Sequence, residues 1–141
     1  MTDHVYAGDK TPEEAWAMLQ SDERAVLIDC RTEAEWSFVG FPVLDELDKS
    51  ALFVEWLSYP AMSKNPAFVP TVTAEVDDKD APLLFLCRSG QRSQAAAAAL
   101  TAAGYNACFN ILEGFEGDKD AADHRGTVGG WRYRGLPWRN K

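Results

Sequence analysis

The stretch Leu83-Leu84-Phe85-Leu86-Cys87-Arg88-Ser89-Gly90-Gln91-Arg92-Ser93-Gln94, running on into Ala95 to Ala99, constrains the fold more than any other part of the chain. Leu83 to Leu86, behind Pro82, is an apolar run with the length of a buried strand. Cys87 follows, then a polar loop with two arginines and a glycine. Residues 94–103, rich in alanine, have the strongest helix propensity in the sequence. A strand, a short loop and a helix in that order aim the unpaired N–H groups of the helix start at whatever the loop holds. The helix dipole favours negative charge at the same place. A thiol there, with Arg88 and Arg92 beside it, is expected to lose its proton more easily, and the thiolate is the nucleophilic form. A cysteine that only fills a core has no use for two arginine neighbours.

The rest of the chain supplies a frame for this loop. Thr11-Pro12-Glu13-Glu14 reads as a helix start, with Thr11 as cap, Pro12 at the first helical position and acids at the positive end. Ala15, Trp16 and Leu19 supply its buried stripe, and Asp22-Glu23-Arg24 closes it as a turn. Ala25 to Ile28 is a second buried strand, ending in Asp29-Cys30-Arg31. Thr32 and Glu35 form a capping-box pattern for a short helix. Asp29 and Arg31 are expected either as a surface pair or as charges held at a strand end, and Cys30 is expected to face the core. Pro42 demotes residues 38–44 to an edge or irregular segment. Residues 51–57 read as a central strand, and a helix is expected from Pro70 to about Val76. Gly104 suits a helix stop, residues 107–112 a last strand with Cys108 in the core, and 119–130 an exposed connection. Trp131, Tyr133, Leu136 and Trp138 give the tail enough aromatic mass to dock. Trp56, Tyr59, Pro60, Met62 and Phe68 read either as core or as walls of the site. Helices alternating with buried strands indicate an α/β fold with a mainly parallel central sheet flanked by helices. Ligands bind at the carboxyl ends of such strands, where Cys87 and Asp29–Arg31 both stand.

A chain of 141 residues with 46% hydrophobic content fits a single globular domain over 1–141. Its net charge of −8 argues against a general nucleic-acid or anionic-membrane surface, while leaving room for a local positive site. Three cysteines make no disulfide framework, and no C-x-x-C or Cys/His cluster points to a metal. His4 and His124 read as ordinary surface residues. The first residues carry neither a basic nor an apolar signal region, and no run approaches the roughly 18 apolar residues of a membrane span. A reduced cytoplasm is the expected setting.

Three stretches together resemble the rhodanese (sulfurtransferase) domain. Val26-Leu27-Ile28-Asp29-Cys30-Arg31-Thr32-Glu33-Ala34-Glu35-Trp36 is similar to the family's early segment, and Leu84 to Ser93 to its catalytic loop, with 95–105 as the following helix and turn. Asn110 to Phe115 and Gly130-Trp131 to Gly135-Leu136-Pro137 are similar to its closing strand, glycine loop and tail. The resemblance covers about residues 20–138 and implies a single rhodanese-like domain. It implies that Cys87 carries a persulfide, and that backbone N–H groups from Arg88, Ser89, Gly90, Gln91, Arg92 and Ser93 cradle the sulfur and an anionic donor. Arg88 and Arg92 attract that donor, Gly90 allows the tight turn, and Asp29 and Arg31 are structural. The partners implied are a small sulfur-anion donor and a thiol or cyanide acceptor, with a protein acceptor as a further possibility and no cofactor. Two departures stand out. Val39-Gly40-Phe41-Pro42-Val43-Leu44 carries no histidine where the family usually has one, and the span 44–82 is longer than a minimal domain needs.

Two other readings compete. A cysteine phosphatase or arsenate reductase uses the same strand–loop–helix logic, with one more residue between cysteine and arginine than the four between Cys87 and Arg92. A non-catalytic or sulfur-carrying module would instead serve a protein partner, although modules of the non-catalytic kind often lack the cysteine that this chain keeps.

Overall fold

In the computed structural model, which describes residues 5–58 and 60–141, five parallel strands make the central sheet. Their order is β1 (Gly8–Lys10), β8 (Cys108–Ile111), β7 (Leu83–Leu86), β2 (Val26–Asp29) and β4 (Leu52–Phe53). This is the α/β architecture expected from the alternating apolar runs.

The period of two along each strand divides the core. Ile28 and Cys30 of one chain segment, and Leu83, Phe85 and Cys87 of the next, share a cluster with Phe68, Val72, Ala96, Ala97 and Leu100. That face is therefore covered by α3 (Phe68–Glu75) and α4 (Arg92–Ala102). Leu27, Leu84 and Leu86 belong to the opposite cluster, with Ala15 and Leu19 of α1 (Pro12–Ser21) and with Phe115 and Trp131. The tail docks through Trp131, which is fully buried and donates its indole N–H to the Pro137 carbonyl at 2.8 Å. Tyr133 stays about half exposed and Trp138 less than half, at 49% and 38%.

Local chemistry sets the helix starts. Thr11 accepts from the Glu14 N–H while Glu14 accepts from the Thr11 N–H, and Thr32 and Glu35 repeat the arrangement at α2 (Glu33–Phe38). Pro42 confines β3 (Phe41–Pro42) to a two-stranded antiparallel ribbon with β9 (Trp138–Arg139), away from the main sheet.

Two expectations need correction. Residues 51–57 are not a central strand. Of these residues only Leu52–Phe53 joins the main sheet, as its edge, because β2 stops at Asp29 and its chain turns into the Thr32 cap. The segment then follows that chain only through Val54 N–H to Asp29 O and Trp56 N–H to Cys30 O. It continues into a ribbon of β5 (Leu57–Ser58) and β6 (Ser63–Lys64). Helix α3 begins before Pro70, not at it. Pro70 falls in the first turn, where no N–H has an intrahelical partner to lose. Strand β1 was not anticipated, since Gly8-Asp9-Lys10 has no apolar alternation; its pairing with β8 makes it a strand. His4 and Tyr59 lie outside the described residues. Trp56 and Phe68 are core, whereas Met62 is 40% exposed and stands at the rim of the site. Among the described residues, no helix is long and apolar enough to cross a membrane.

Candidate active site

Cys87 follows the last residue of β7, at the carboxyl edge of the sheet, and is 1% exposed. The Gly90 N–H donates to its Sγ at 3.2 Å and the Ser93 N–H at 3.4 Å. Ser93 is the second residue of α4, so its N–H is one of the helix-start donors without a partner in the preceding turn. Donors aimed at the sulfur stabilise it when it carries negative charge. Gly90 takes φ +100°, a region that side chains rarely enter, and so makes the turn that points its N–H inward. Gln94 Nε2 donates to the Gly90 carbonyl at 3.0 Å and braces that turn.

A polar chain runs from the sulfur into β8 and β1. The Ser93 hydroxyl lies 3.2 Å from Cys87 Sγ and donates to Asn110 Oδ1. Asn110 Nδ2 donates to Asp9 Oδ1 at 3.1 Å, and the Tyr6 hydroxyl donates to the same oxygen at 2.8 Å. Burial, with the Asp9 carboxylate adding to it, pushes the Tyr6 phenol up to about 12. Sequence reasoning placed Asn110 on the closing strand without giving it a task. The available signal was an amide inside an apolar strand run, Cys108-Phe109-Asn110-Ile111, which needs partners once buried, as it is here.

The loop after β8 clamps the Cys87 loop from outside. Phe115 N–H donates to Cys87 O at 2.7 Å and Glu116 N–H to Arg88 O at 2.9 Å. Gly114, at φ +64°, allows this approach: a Cβ there would sit 2.5 Å from the Cys87 carbonyl oxygen.

The two arginines have different positions. Arg88 is exposed and lines a pocket of about 460 Å³ over the loop, with Thr32, Glu35, Val39, Met62, Arg92 and Glu116. Among the described residues, no carboxylate lies within ion-pair distance of it. Arg92 is largely buried and grips Glu35 with two bonds, at 2.8 and 2.9 Å. Burial works against both charges, but the pairing outweighs it, holding the Glu35 carboxyl below its ordinary range and the Arg92 guanidinium above its own. Ser89 is half-buried and Gln91 exposed at the loop surface.

Asp29 and Arg31 form a fully buried pair, not a surface one. Arg31 Nη2 is 2.7 Å from Asp29 Oδ2 and also donates to the Gly40 carbonyl at 3.0 Å. Its Nη1 has no hydrogen-bond partner, and the guanidinium lies 4.1 Å from the centre of the Phe115 ring, whose face attracts the cation. The pair thereby ties the end of β2 to the loop that clamps Cys87.

Cys30 continues β2 as Cys87 continues β7, and both are in the same core cluster. Its Sγ donates to the Leu86 carbonyl at 3.2 Å. Burial pushes the Cys30 thiol well above its ordinary value, with Cys87 and Asp29 adding to the rise and Arg92 opposing it.

The family model of the rhodanese-like domain matches residues 11–121. The chain belongs to the rhodanese-like family, as the loop and its flanking segments implied. It is similar to Rv0390 from M. tuberculosis, whose crystal structure has 48% sequence identity and a TM-score of 0.86, covering 97% of this chain and 100% of that one. An uncharacterized protein of Rickettsia conorii is 40% identical over 125 residues, 88% of this chain and 90% of its own length. Thiosulfate sulfurtransferase GlpE of Actinobacillus succinogenes is 28% identical over 127 residues, 90% of this chain and 86% of that protein.

Proposed function

We propose that the protein is a sulfurtransferase that moves sulfane sulfur from a thiosulfate-like donor to a thiophilic acceptor through a persulfide on Cys87. The observation that carries this reading is the pair of N–H groups, from Gly90 and Ser93, aimed at Cys87 Sγ. The Cys87 thiolate attacks the outer sulfur of the donor, forming an S–S bond while sulfite leaves with the electron pair of the broken one. A thiolate or cyanide then attacks the terminal sulfur, and Cys87 leaves as thiolate. This is nucleophilic catalysis with a covalent intermediate, so ping-pong kinetics are expected. Charge stabilisation by fixed N–H groups takes the place of a general base, and neither step calls on a metal or an organic cofactor.

The loop from Arg88 through Ser89, Gly90, Gln91 and Arg92 to Ser93 is the donor-binding site in this reading. Arg88 supplies the charge that draws the anion in. Arg92, already balanced by Glu35, acts mainly by fixing the start of α4, and Asp29 with Arg31 supports the loop from below. The acceptor is a small thiol, cyanide in the test tube, or a protein thiol seated at the pocket rim, where Met62 is exposed. The similarity to GlpE, named a thiosulfate sulfurtransferase, supports the choice of donor. A reducing compartment such as the cytoplasm suits chemistry that begins on a free thiol.

The short loop favours sulfur over phosphate. A phosphate cradle uses an arginine free to grip two oxygens, and Arg92 grips Glu35 instead. Steady-state kinetics with thiosulfate and cyanide test the proposal: parallel double-reciprocal lines are expected for the wild type and no thiocyanate for Cys87→Ser. Hydrolysis of an aryl phosphate without any sulfur transfer would replace this reading with the phosphatase one.

A further inference from the structure

Cys30 is a free thiol near the site that sulfur transfer leaves unused. Strands β2 and β7 run parallel, with Asp29 opposite Leu86, so the next residue on each chain is a cysteine. Ile28 and Phe85, two positions earlier, are also partners and point into the same core cluster as Cys30 and Cys87. The two thiols therefore lie side by side on one face of the sheet. The Cys30 N–H at 2.8 Å and the Cys30 Sγ at 3.2 Å both reach the carbonyl of Leu86, the residue bonded to Cys87. Neighbouring strands about 4.8 Å apart fall within the Cα separation that a disulfide spans.

We propose that Cys30 is a resolving thiol that discharges the Cys87 persulfide as sulfide, giving the protein a second activity as a reductive sulfide-releasing enzyme. The proposal rests on the Cys87 persulfide reading. Cys30 passes its proton to the terminal sulfur of the persulfide, and its thiolate then attacks Cys87 Sγ. The Cys30–Cys87 bond forms, the bond from Cys87 Sγ to the terminal sulfur breaks, and hydrosulfide leaves with that electron pair. The sulfane sulfur is reduced and the two thiols are oxidised, so no other oxidant is needed. A small dithiol resets the disulfide, making the net reaction thiosulfate plus dithiol to sulfite, sulfide and disulfide.

Position sets the order of events. Donor and acceptor approach through the pocket beside Arg88, whereas Cys30 has no exposed surface and approaches from within the sheet. Burial keeps Cys30 protonated well above its ordinary range, so attack waits on the passage of its proton to the persulfide and resolution is slow beside transfer to an acceptor. Sulfide release is thus the fate of a persulfide that no acceptor has emptied. Cys108 cannot substitute: it pairs with Leu83, at the far end of β7.

The test uses the full chain, reduced and freed of reductant, then given thiosulfate without acceptor. Sulfide is assayed over time, and the protein is mapped without reduction for a peptide linking Cys30 to Cys87. The wild type is expected to release sulfide with a first-order rate constant independent of protein concentration, while the linked peptide appears. Cys30→Ala and Cys30→Val are expected to release it more slowly by roughly tenfold at the least, as loss of an intramolecular thiol implies, and to accumulate persulfide instead. Cys108→Ala is expected to follow the wild type. A stable persulfide on the wild type, with no linked peptide and no sulfide beyond that of Cys30→Ala, overturns the inference and leaves the sulfurtransferase reading standing. Absence of persulfide and sulfide from every variant overturns both.

Discussion

Glu35 and Arg92 close a two-pronged ion pair that joins the first turn of α2 to the first turn of α4, 57 residues later in the chain. Glu35 also accepts from the Thr32 N–H, so one carboxylate both closes a capping box and fixes the arginine beside the Cys87 loop. The pair is mostly buried, at 17% and 18% side-chain exposure, which protects it from solvent screening.

Glu35→Gln is therefore expected to cost about 1.5–3 kcal/mol in chemical denaturation, the range of a charge-assisted bond. It is also expected to lower the rate of sulfur transfer by loosening the start of α4. The pH dependence follows from the direction of the shift. Burial raises the Glu35 carboxyl, but Arg92 outweighs it and the folded value lies below the unfolded one. The contribution is complete above the unfolded value of about 4.3 and is lost as pH falls through the folded one. The wild type should lose its advantage over Glu35→Gln in that acid window. An equal gap at neutral and acid pH would contradict this.

Asp29→Asn leaves the Arg31 charge buried and unbalanced, with Nη1 already lacking a hydrogen bond. Such a break costs about 3–5 kcal/mol. The denaturation midpoint should fall accordingly, and a loss under about 1 kcal/mol would mean that the pair does not hold the strand end.

At Gly114, a methyl group would meet the Cys87 carbonyl oxygen and the Arg88 backbone, both at 2.5 to 2.6 Å, with φ at +64°. Gly114→Ala should push the clamp away from the Cys87 loop and slow persulfide formation much more than it lowers the melting temperature. Unchanged kinetics would separate the clamp from the chemistry.

Arg88 is exposed and carries the charge proposed to meet the donor. Arg88→Ala should raise the KM for thiosulfate about tenfold or more, the equivalent of one charge-assisted bond. It should also flatten the salt dependence of kcat/KM while leaving the melting temperature unchanged. A KM and salt profile equal to those of the wild type would remove Arg88 from donor binding.

The strands and helices that frame the site were legible because local signals agree with the fold. Leu83–Leu86 and residues 25–28 are apolar runs of strand length, and Thr11 and Thr32 announce their helices with a glutamate three residues on. Family motifs around Cys87 made its loop legible too. Contacts between distant residues were not legible. Asn110 meets Asp9 across 101 residues, and nothing in Gly8-Asp9-Lys10 marks a strand. The two arginines looked alike in sequence, and only the fold brings Glu35 to Arg92 and leaves Arg88 at the pocket. The 51–57 run misled because hydrophobicity alone does not reveal that β2 has ended at Asp29.

Intact mass tests directly whether Cys87 carries the sulfur. Reduced protein should be mixed with thiosulfate, quenched early, and weighed intact. One added sulfur is expected on the wild type, mapped to Cys87, and none on Cys87→Ser. A sulfur adduct that survives on Cys87→Ser, or no adduct on any variant with thiosulfate or another sulfane donor, would contradict it.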